Sequence, residues 1–196
     1  MRLRVGGSEV GKLGFIVAAS AVLSISASAP VFGQDARYAN KLAPYVASPV
    51  HVVDRMLELA RVKPGETVYD LGCGDGVILV EAVQKFNVKA VGVEISPKLV
   101  ERAEQRIERA GIAQQARVMQ GDLLTVDLSG ADVVAIYLGT QLNAQLRPRL
   151  EKYLKPGARV VSHDYPIKGW KPTKVDWSDS KQSHLIYLYE IPPTKE

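Results

Sequence analysis

The chain has 196 residues, 46% of them hydrophobic and 23% charged, with a formal charge of +4. That length suits one globular domain plus a short extension. A single cysteine, Cys73, excludes an intramolecular disulfide and a cysteine-based zinc site, and the modest charge argues against nucleic-acid binding through bulk electrostatics.

Arg2, Arg4 and Lys12 precede a stretch from Leu13 to Gln34 that carries no charge. A basic start, a short apolar run and small residues form the pattern of a secretory signal. Ala27-Ser28-Ala29 offers a cleavage site that Pro30 disfavours, so a cut after Val31-Phe32-Gly33 is better placed. The alternative is an uncleaved membrane anchor, for which the segment is long enough but weakly hydrophobic. Arg37 and Lys41 follow the apolar run, so basic residues on both sides leave its orientation weakly set. Residues 1–33 are therefore expected to be a signal peptide or anchor that makes the protein exported, periplasmic or membrane-tethered. Residues 34–196 form the functional domain. Without the leader the charge falls from +4 to +2, near neutral.

Ser48 is placed to cap a helix and Pro49 to open it, and Val50, Val53, Leu57 and Ala60 recur at helical spacing through Arg61. A strand is expected over 67–71, a helix over 77–86 and a nearly uninterrupted apolar strand over 89–94. Such a strand suits a parallel sheet covered on both faces. Ser96-Pro97 opens a charged helix that Gly111 stops. Short strands follow at 117–120 and 131–138. A helix over 141–153 meets Pro148 near its middle, where a kink or reset is expected. Strands at 159–163 and 184–190 flank a Pro/Gly-rich loop. This alternation implies a single α/β domain, an open sheet with helices on both faces.

The segment Val68-Tyr69-Asp70-Leu71-Gly72-Cys73-Gly74-Asp75-Gly76 carries a strand into three alternating glycines, and Glu94 follows Gly76 by eighteen residues at the end of the next strand. That layout belongs to a nucleotide-type ligand site. Glycines allow the backbone to approach the ligand closely, and Glu94 is placed to accept ribose hydroxyls. A phosphate site would hold an anion at the helix N-terminus, yet Asp70 and Asp75 flank these glycines and favour a cation. S-adenosylmethionine combines an adenosine with an ammonium and a sulfonium, so it fits both features where NAD or ATP does not. His51, His163 and His184 are scattered without metal-ligand spacing, and no metal site is expected.

Residues 43–191 resemble the class I, seven-β-strand S-adenosylmethionine-dependent methyltransferases. Within that fold they are similar to a group of small protein-lysine methyltransferases of archaea, bacteria and mitochondria. Pro44-Tyr45-Val46 with Ser48-Pro49, residues 68–76, residues 154–163 and Gly169-Trp170-Lys171-Pro172 carry the match. The resemblance implies a Rossmann-like, mostly parallel seven-stranded sheet. It also implies that Asp70, Gly72, Gly74 and Gly76 hold the methionine part of the cofactor and Glu94 its ribose. Ile95 and Leu123 would pack on the adenine, Asp122 would reach its amine, and Tyr45 would fold over the cofactor. Plain core roles for Ile95 and Leu123, and a turn role for Asp75, are the alternatives. Cys73 joins the cofactor-contacting turn as a small packing residue, since its acidic neighbours do not make a thiolate.

Tyr137, ending the fourth strand, stands where this fold places the reacting amine. Many N-methyltransferases carry there an acidic or amide residue followed by Pro-Pro and an aromatic, whereas this chain has Tyr137-Leu138-Gly139-Thr140. Asn143 offers an amide oxygen to the amine, against a plain role at a helix start. His163, with Asp164, is placed to orient the amine or take its proton through water, against a structural role. Trp170 is placed to wall a lysine channel, against plain packing. The expected activity is methyl transfer to lysine ε-amines of a protein substrate, without nucleic acid. A small-molecule or lipid-associated methyltransferase is the runner-up, and a cofactor-binding relic is the third reading.

Overall fold

The computed structural model describes residues 45–195. The expectations placed on residues 1–33 and on Pro44 lie outside the described residues. Among the described residues no helix is long and apolar enough to cross a membrane.

Helix α1 (Val50–Leu59) buries Val52, Val53, Met56 and Leu57, the stripe expected of an amphipathic helix against a core. Pro49, not Ser48, is the residue at its N-cap, and no side chain caps it. The Ser48 hydroxyl lies instead 3.0 Å from Nδ1 of His163, so a tertiary partner takes the group that local sequence assigned to the helix. Strand β1 (Thr67–Leu71), helix α2 (Val77–Phe86), strand β2 (Lys89–Glu94) and helix α3 (Pro97–Arg109) follow in β-α alternation. Strand β3 (Ala116–Gln120), strand β4 (Val133–Ile136), helix α4 (Thr140–Tyr153) and strand β5 (Arg159–His163) continue it. Helix α4 runs through Pro148 as one element. Pro148 and Ala144 both lie on the exposed face of the helix.

The chain then makes β6 (Trp170–Lys171), β7 (Lys174–Trp177), β8 (Leu185–Glu190) and β9 (Thr194–Lys195). The main sheet has seven strands in the order β3-β2-β1-β4-β5-β8-β7, and β6 pairs with β9 separately. Strands β1 to β5 pair in parallel, while β8 runs antiparallel to β5 and β7. Strand β7 falls in the segment expected to be loop; it is four residues long and alternates charged with apolar side chains.

Successive strand residues enter opposite cores, as the two-residue period of a strand requires. Val68, Ala90, Val133 and Val161 join α1, α2 and Ile107 of α3 on one face. Tyr69, Val91, Val134 and Val160 join Leu146 and Leu150 of α4 on the other. The sheet order reverses between β1 and β4. In open α/β sheets that switch point, at the carboxyl ends of the strands, is where ligands bind.

Candidate active site

A cavity of about 1110 Å³ opens at that switch point. A single drug-sized ligand takes roughly 300–1,000 Å³, so the space admits a nucleoside cofactor and an entering side chain. Four strand ends supply its wall. Asp70, Gly72, Gly74 and Asp75 come from β1 and its turn, and Glu94 and Ile95 from the end of β2. Asp122 and Leu123 follow β3, while Tyr137, Leu138 and Gly139 follow β4.

The glycine turn is built by its backbone. Gly72, Gly74 and Gly76 have φ of 82°, 53° and 80°, in the left-handed region that a Cβ disfavours. The amides of Gly72 and Cys73 donate to the Val93 carbonyl at 2.8 and 3.1 Å, and the Gly74 amide donates to Glu94 Oε2 at 3.0 Å. Glu94 Oε1 accepts from the amides of Ile95 and Ser96, both at 2.9 Å. Backbone donors therefore hold this buried carboxylate in a fixed orientation at the cavity wall. The aromatic edge of Tyr45 lies where a Cβ on Gly74 would stand, 2.4 Å from Cε2. Only a glycine lets the ring rest on the turn.

Asp70 is the buried charge of the site. In register it lies between Gly92 on β2 and Ala135 on β4, two residues that leave its side chain room but no partner charge. Burial, followed by the repulsion of Glu94 and Asp75, pushes its carboxyl from the ordinary 3.8 up to about 8. Asp75 differs: its carboxylate takes the guanidinium of Arg106 on α3, and its other oxygen is buried without a hydrogen bond. Burial, then Asp75 beside it, pushes the Tyr45 phenol up to about 12. The Cys73 thiol is pushed well above its usual range by burial first and Asp70 second, which leaves it inert and packed against Gly92.

On the far side, Tyr137 is raised by burial and by Asp164 and Tyr165. Its ring stacks on His163, centroids 3.8 Å apart and planes 26° from parallel, with Tyr165 at 6.1 Å. His163 itself is fully buried, and burial pushes its imidazole down to about 4. It does not line the cavity; it backs Tyr137. Asn143 is likewise buried behind the wall, where Nδ2 donates to the Tyr165 carbonyl at 2.9 Å. Both residues thus stand one layer behind the position expected of them, because tertiary packing turns them from the strand end and helix start into the core. The amides that do line the cavity from α4 are Gln141 and Gln145, one helical turn apart, a spacing visible in the sequence. Trp170 is wholly buried, donates to Glu151 Oε1 at 2.7 Å and meets Tyr189 edge-on at 5.5 Å. It is core, not channel wall.

The residues present fit S-adenosylmethionine. The buried Asp70 carboxyl, with no basic partner among the described residues, suits an ammonium, the backbone-held Glu94 suits ribose hydroxyls, and Ile95 and Leu123 supply apolar contact for a flat base.

Comparison with known proteins agrees with the geometry. The family model described as the ANTKMT methyltransferase domain matches residues 70–174. A protein-lysine N-methyltransferase of Saccharolobus islandicus (strain REY15A) is 49% identical over 150 residues, which is 76% of this chain and 93% of that protein. The adenine nucleotide translocase lysine N-methyltransferase of Mus musculus is 36% identical over 132 residues, 67% of this chain and 57% of the mouse protein. The chain thus spans little more than half of the mouse relative. A crystal structure described as an RNA methyltransferase from Salinibacter ruber, in complex with S-adenosyl-L-homocysteine, superposes with a TM-score of 0.72 at 42% identity. That match covers 74% of this chain and 94% of the other.

Proposed function

Because the chain belongs to the ANTKMT methyltransferase domain family and is an S-adenosylmethionine-dependent methyltransferase, we propose that its acceptor is the ε-amine of lysine in a protein substrate. The observation that carries this reading is that one cavity is lined both by the carboxylates Asp70, Glu94 and Asp122 and by the tyrosine and leucines Tyr137, Leu138 and Leu142. The relatives from Saccharolobus and mouse both bear names of protein-lysine methyltransferases.

Bound in the cavity, the cofactor supplies a methyl group on a sulfonium, an excellent leaving group. What remains for the protein is proximity and alignment. Asp70 takes the α-ammonium and Glu94 the ribose hydroxyls; Asp122 reaches the adenine amine while Leu123 and Ile95 pack on the ring. Tyr137 flanks the entering amine and is kept in place by the His163 imidazole stacked behind it. The lysine arrives as an ammonium with a pKa of about 10.4. Surroundings of leucine and tyrosine disfavour the charged form and would ease loss of its proton to water. The nitrogen lone pair would then bond to the methyl carbon as the carbon–sulfur bond breaks and the thioether leaves.

The test is methyl transfer from radiolabelled S-adenosylmethionine by the purified full chain into a cell extract, with Asp70→Ala as control. Label on protein that survives hydrolysis as methyl-lysine, and is absent in the control, supports the reading. The Salinibacter structure is described as that of an RNA methyltransferase, so a nuclease-treated arm is included. Label lost with the RNA would overturn the lysine assignment, and label confined to small molecules or lipid would support the runner-up.

We also propose, on the residue pattern of the first 34 positions alone, that the N-terminal segment directs the chain into or across a membrane. N-terminal sequencing of the expressed protein checks this. A chain starting at Gln34 supports export, an intact chain in the membrane fraction supports an anchor, and an intact chain in the cytoplasm overturns both.

A further inference from the structure

We propose that His163, Asp164 and His184 form a binding site for one divalent transition-metal ion, zinc being the first choice, on the side of Tyr137 away from the cavity. His163 and Asp164 are neighbours in the sequence, and His184, twenty residues on, joins them because β8 pairs antiparallel with β5, setting His163 opposite Ile186. One nitrogen from each histidine and one oxygen from Asp164 lie within 4.8 Å of one another. Asp164 Oδ2 is 3.4 Å from His163 Nε2 and 2.9 Å from His184 Nδ1. Around a tetrahedral zinc with bonds of about 2.0–2.2 Å, neighbouring donors are roughly 3.4 Å apart. The His163–Asp164 pair has that spacing, and the ion would replace the hydrogen bond that now joins His184 to Asp164.

Three independent features orient the donors. His163 Nε2 is buried and has no hydrogen-bond partner, whereas its Nδ1 lies 3.0 Å from the Ser48 hydroxyl. With Nδ1–H donated to Ser48, Nε2 presents a lone pair, the arrangement by which a hydrogen bond on one ring nitrogen fixes a metal-ligating histidine. Asp164 Oδ1 accepts the Leu185 amide at 3.0 Å, leaving Oδ2 as the oxygen between the rings. Asp164 also adopts a φ of 57°, a left-handed conformation that a non-glycine residue holds only where its surroundings over-determine it. His51 pairs with Asp179 at 3.3 Å instead and is not counted as a ligand. Two imidazoles and one carboxylate suit Zn²⁺ or a neighbouring first-row ion, with water completing the sphere.

None of the three donors lines the methyl-transfer cavity, although Ser48 and Tyr137, which touch His163, do, and the site does not depend on the identity of the acceptor. An ion there ties the end of β5 to the start of β8 and holds the imidazole on which Tyr137 is stacked.

The experiment is equilibrium dialysis of the untagged, chelator-stripped full chain against Zn²⁺, followed by optical absorption with Co²⁺ in its place. The expected result is one zinc per chain and visible cobalt bands of nitrogen and oxygen coordination. Asp164→Asn and His184→Ala should bind at least tenfold more weakly, with circular dichroism unchanged. His184 is only partly buried, so its removal leaves the core intact. Ser48→Ala should weaken binding about tenfold through the loss of ring orientation. Failure of the folded wild-type chain to take up zinc, or equal uptake by His184→Ala, overturns the site.

Discussion

Asp70 shows how one residue sets both affinity and stability. Its carboxyl is held near 8 by burial and by Glu94 and Asp75, so below that pH it must shed a proton before it can pair with a cofactor ammonium. Cofactor affinity is therefore expected to rise with pH below about 8 as Asp70 ionises, and to fall again at higher pH as the cofactor's own ammonium loses its proton, a maximum that titration calorimetry between pH 6 and 10 would measure. Stability of the free protein runs the opposite way. Between the ordinary 3.8 and about 8 the native state binds the proton and the unfolded chain does not, so raising the pH through this window weakens the fold. Asp70→Asn should abolish that slope, raise the melting temperature at pH 8 and cost at least about tenfold in cofactor affinity. A variant that melts like wild type at pH 8 would refute the assigned charge. The place of Asp70 and Glu94 in the cavity was legible in the sequence, because a strand running into glycines fixes where its end must lie. Asn143 and His163 were misplaced by one layer, since only packing decides which side of a strand end or helix start meets the cavity. Ser48 offered a local role as a cap and took a distant one, at His163.

The turn between β1 and α2 is closed by features of two neighbouring elements, and each makes a prediction. A Cβ on Gly92 of β2 would stand 2.6 Å from Cys73 Sγ and 2.8 Å from Leu79 Cδ1. Gly92→Ala is thus expected to destabilise by about 1–3 kcal/mol through overpacking, and Cys73→Ala in the same chain should recover part of the loss. Urea unfolding of the single and double variants measures both. Gly74→Ala meets only the movable ring of Tyr45 but requires φ near 53°. It should cost about 1–2 kcal/mol in backbone strain and weaken cofactor binding as Tyr45 lifts away. Most elements were legible because β2 and β4 carry nearly uninterrupted apolar runs and α1 carries a clear apolar stripe. The edge strand β7 was not: its Lys174 and Asp176 are the charges by which edges resist further pairing, and they erase the apolar signal that marks a strand. Pro148 was expected to disturb α4, yet the helix runs through it, with Pro148 on the exposed face.

Across the whole molecule, Arg159 fastens β5 to the helical layer. Its guanidinium donates to the carbonyls of Ala60 and Arg61, both at 2.9 Å, and to Glu66 Oε1 at 2.6 Å, and the residue is 7% exposed. Arg159→Met leaves a part-buried carboxylate and two carbonyls without their donor, and about 3 kcal/mol should be lost, readable as a lower urea midpoint. The open, mostly parallel sheet was legible from β-α alternation. The pairing of β5 with β8, which gathers His163, Asp164 and His184, was not, because the partners are separated by a loop whose length carries no register. Asp70, Glu94 and Asp122 share the cavity wall with no lysine or arginine among its described lining residues. Methyl transfer removes the sulfonium charge but leaves the ammonium, so an acidic wall attracts the net-cationic donor more strongly than its net-neutral product. The wall thereby favours exchange of spent for fresh cofactor. Because this preference is electrostatic, it should narrow as ionic strength rises, and affinities of S-adenosylmethionine and S-adenosylhomocysteine measured in low and high salt would draw together.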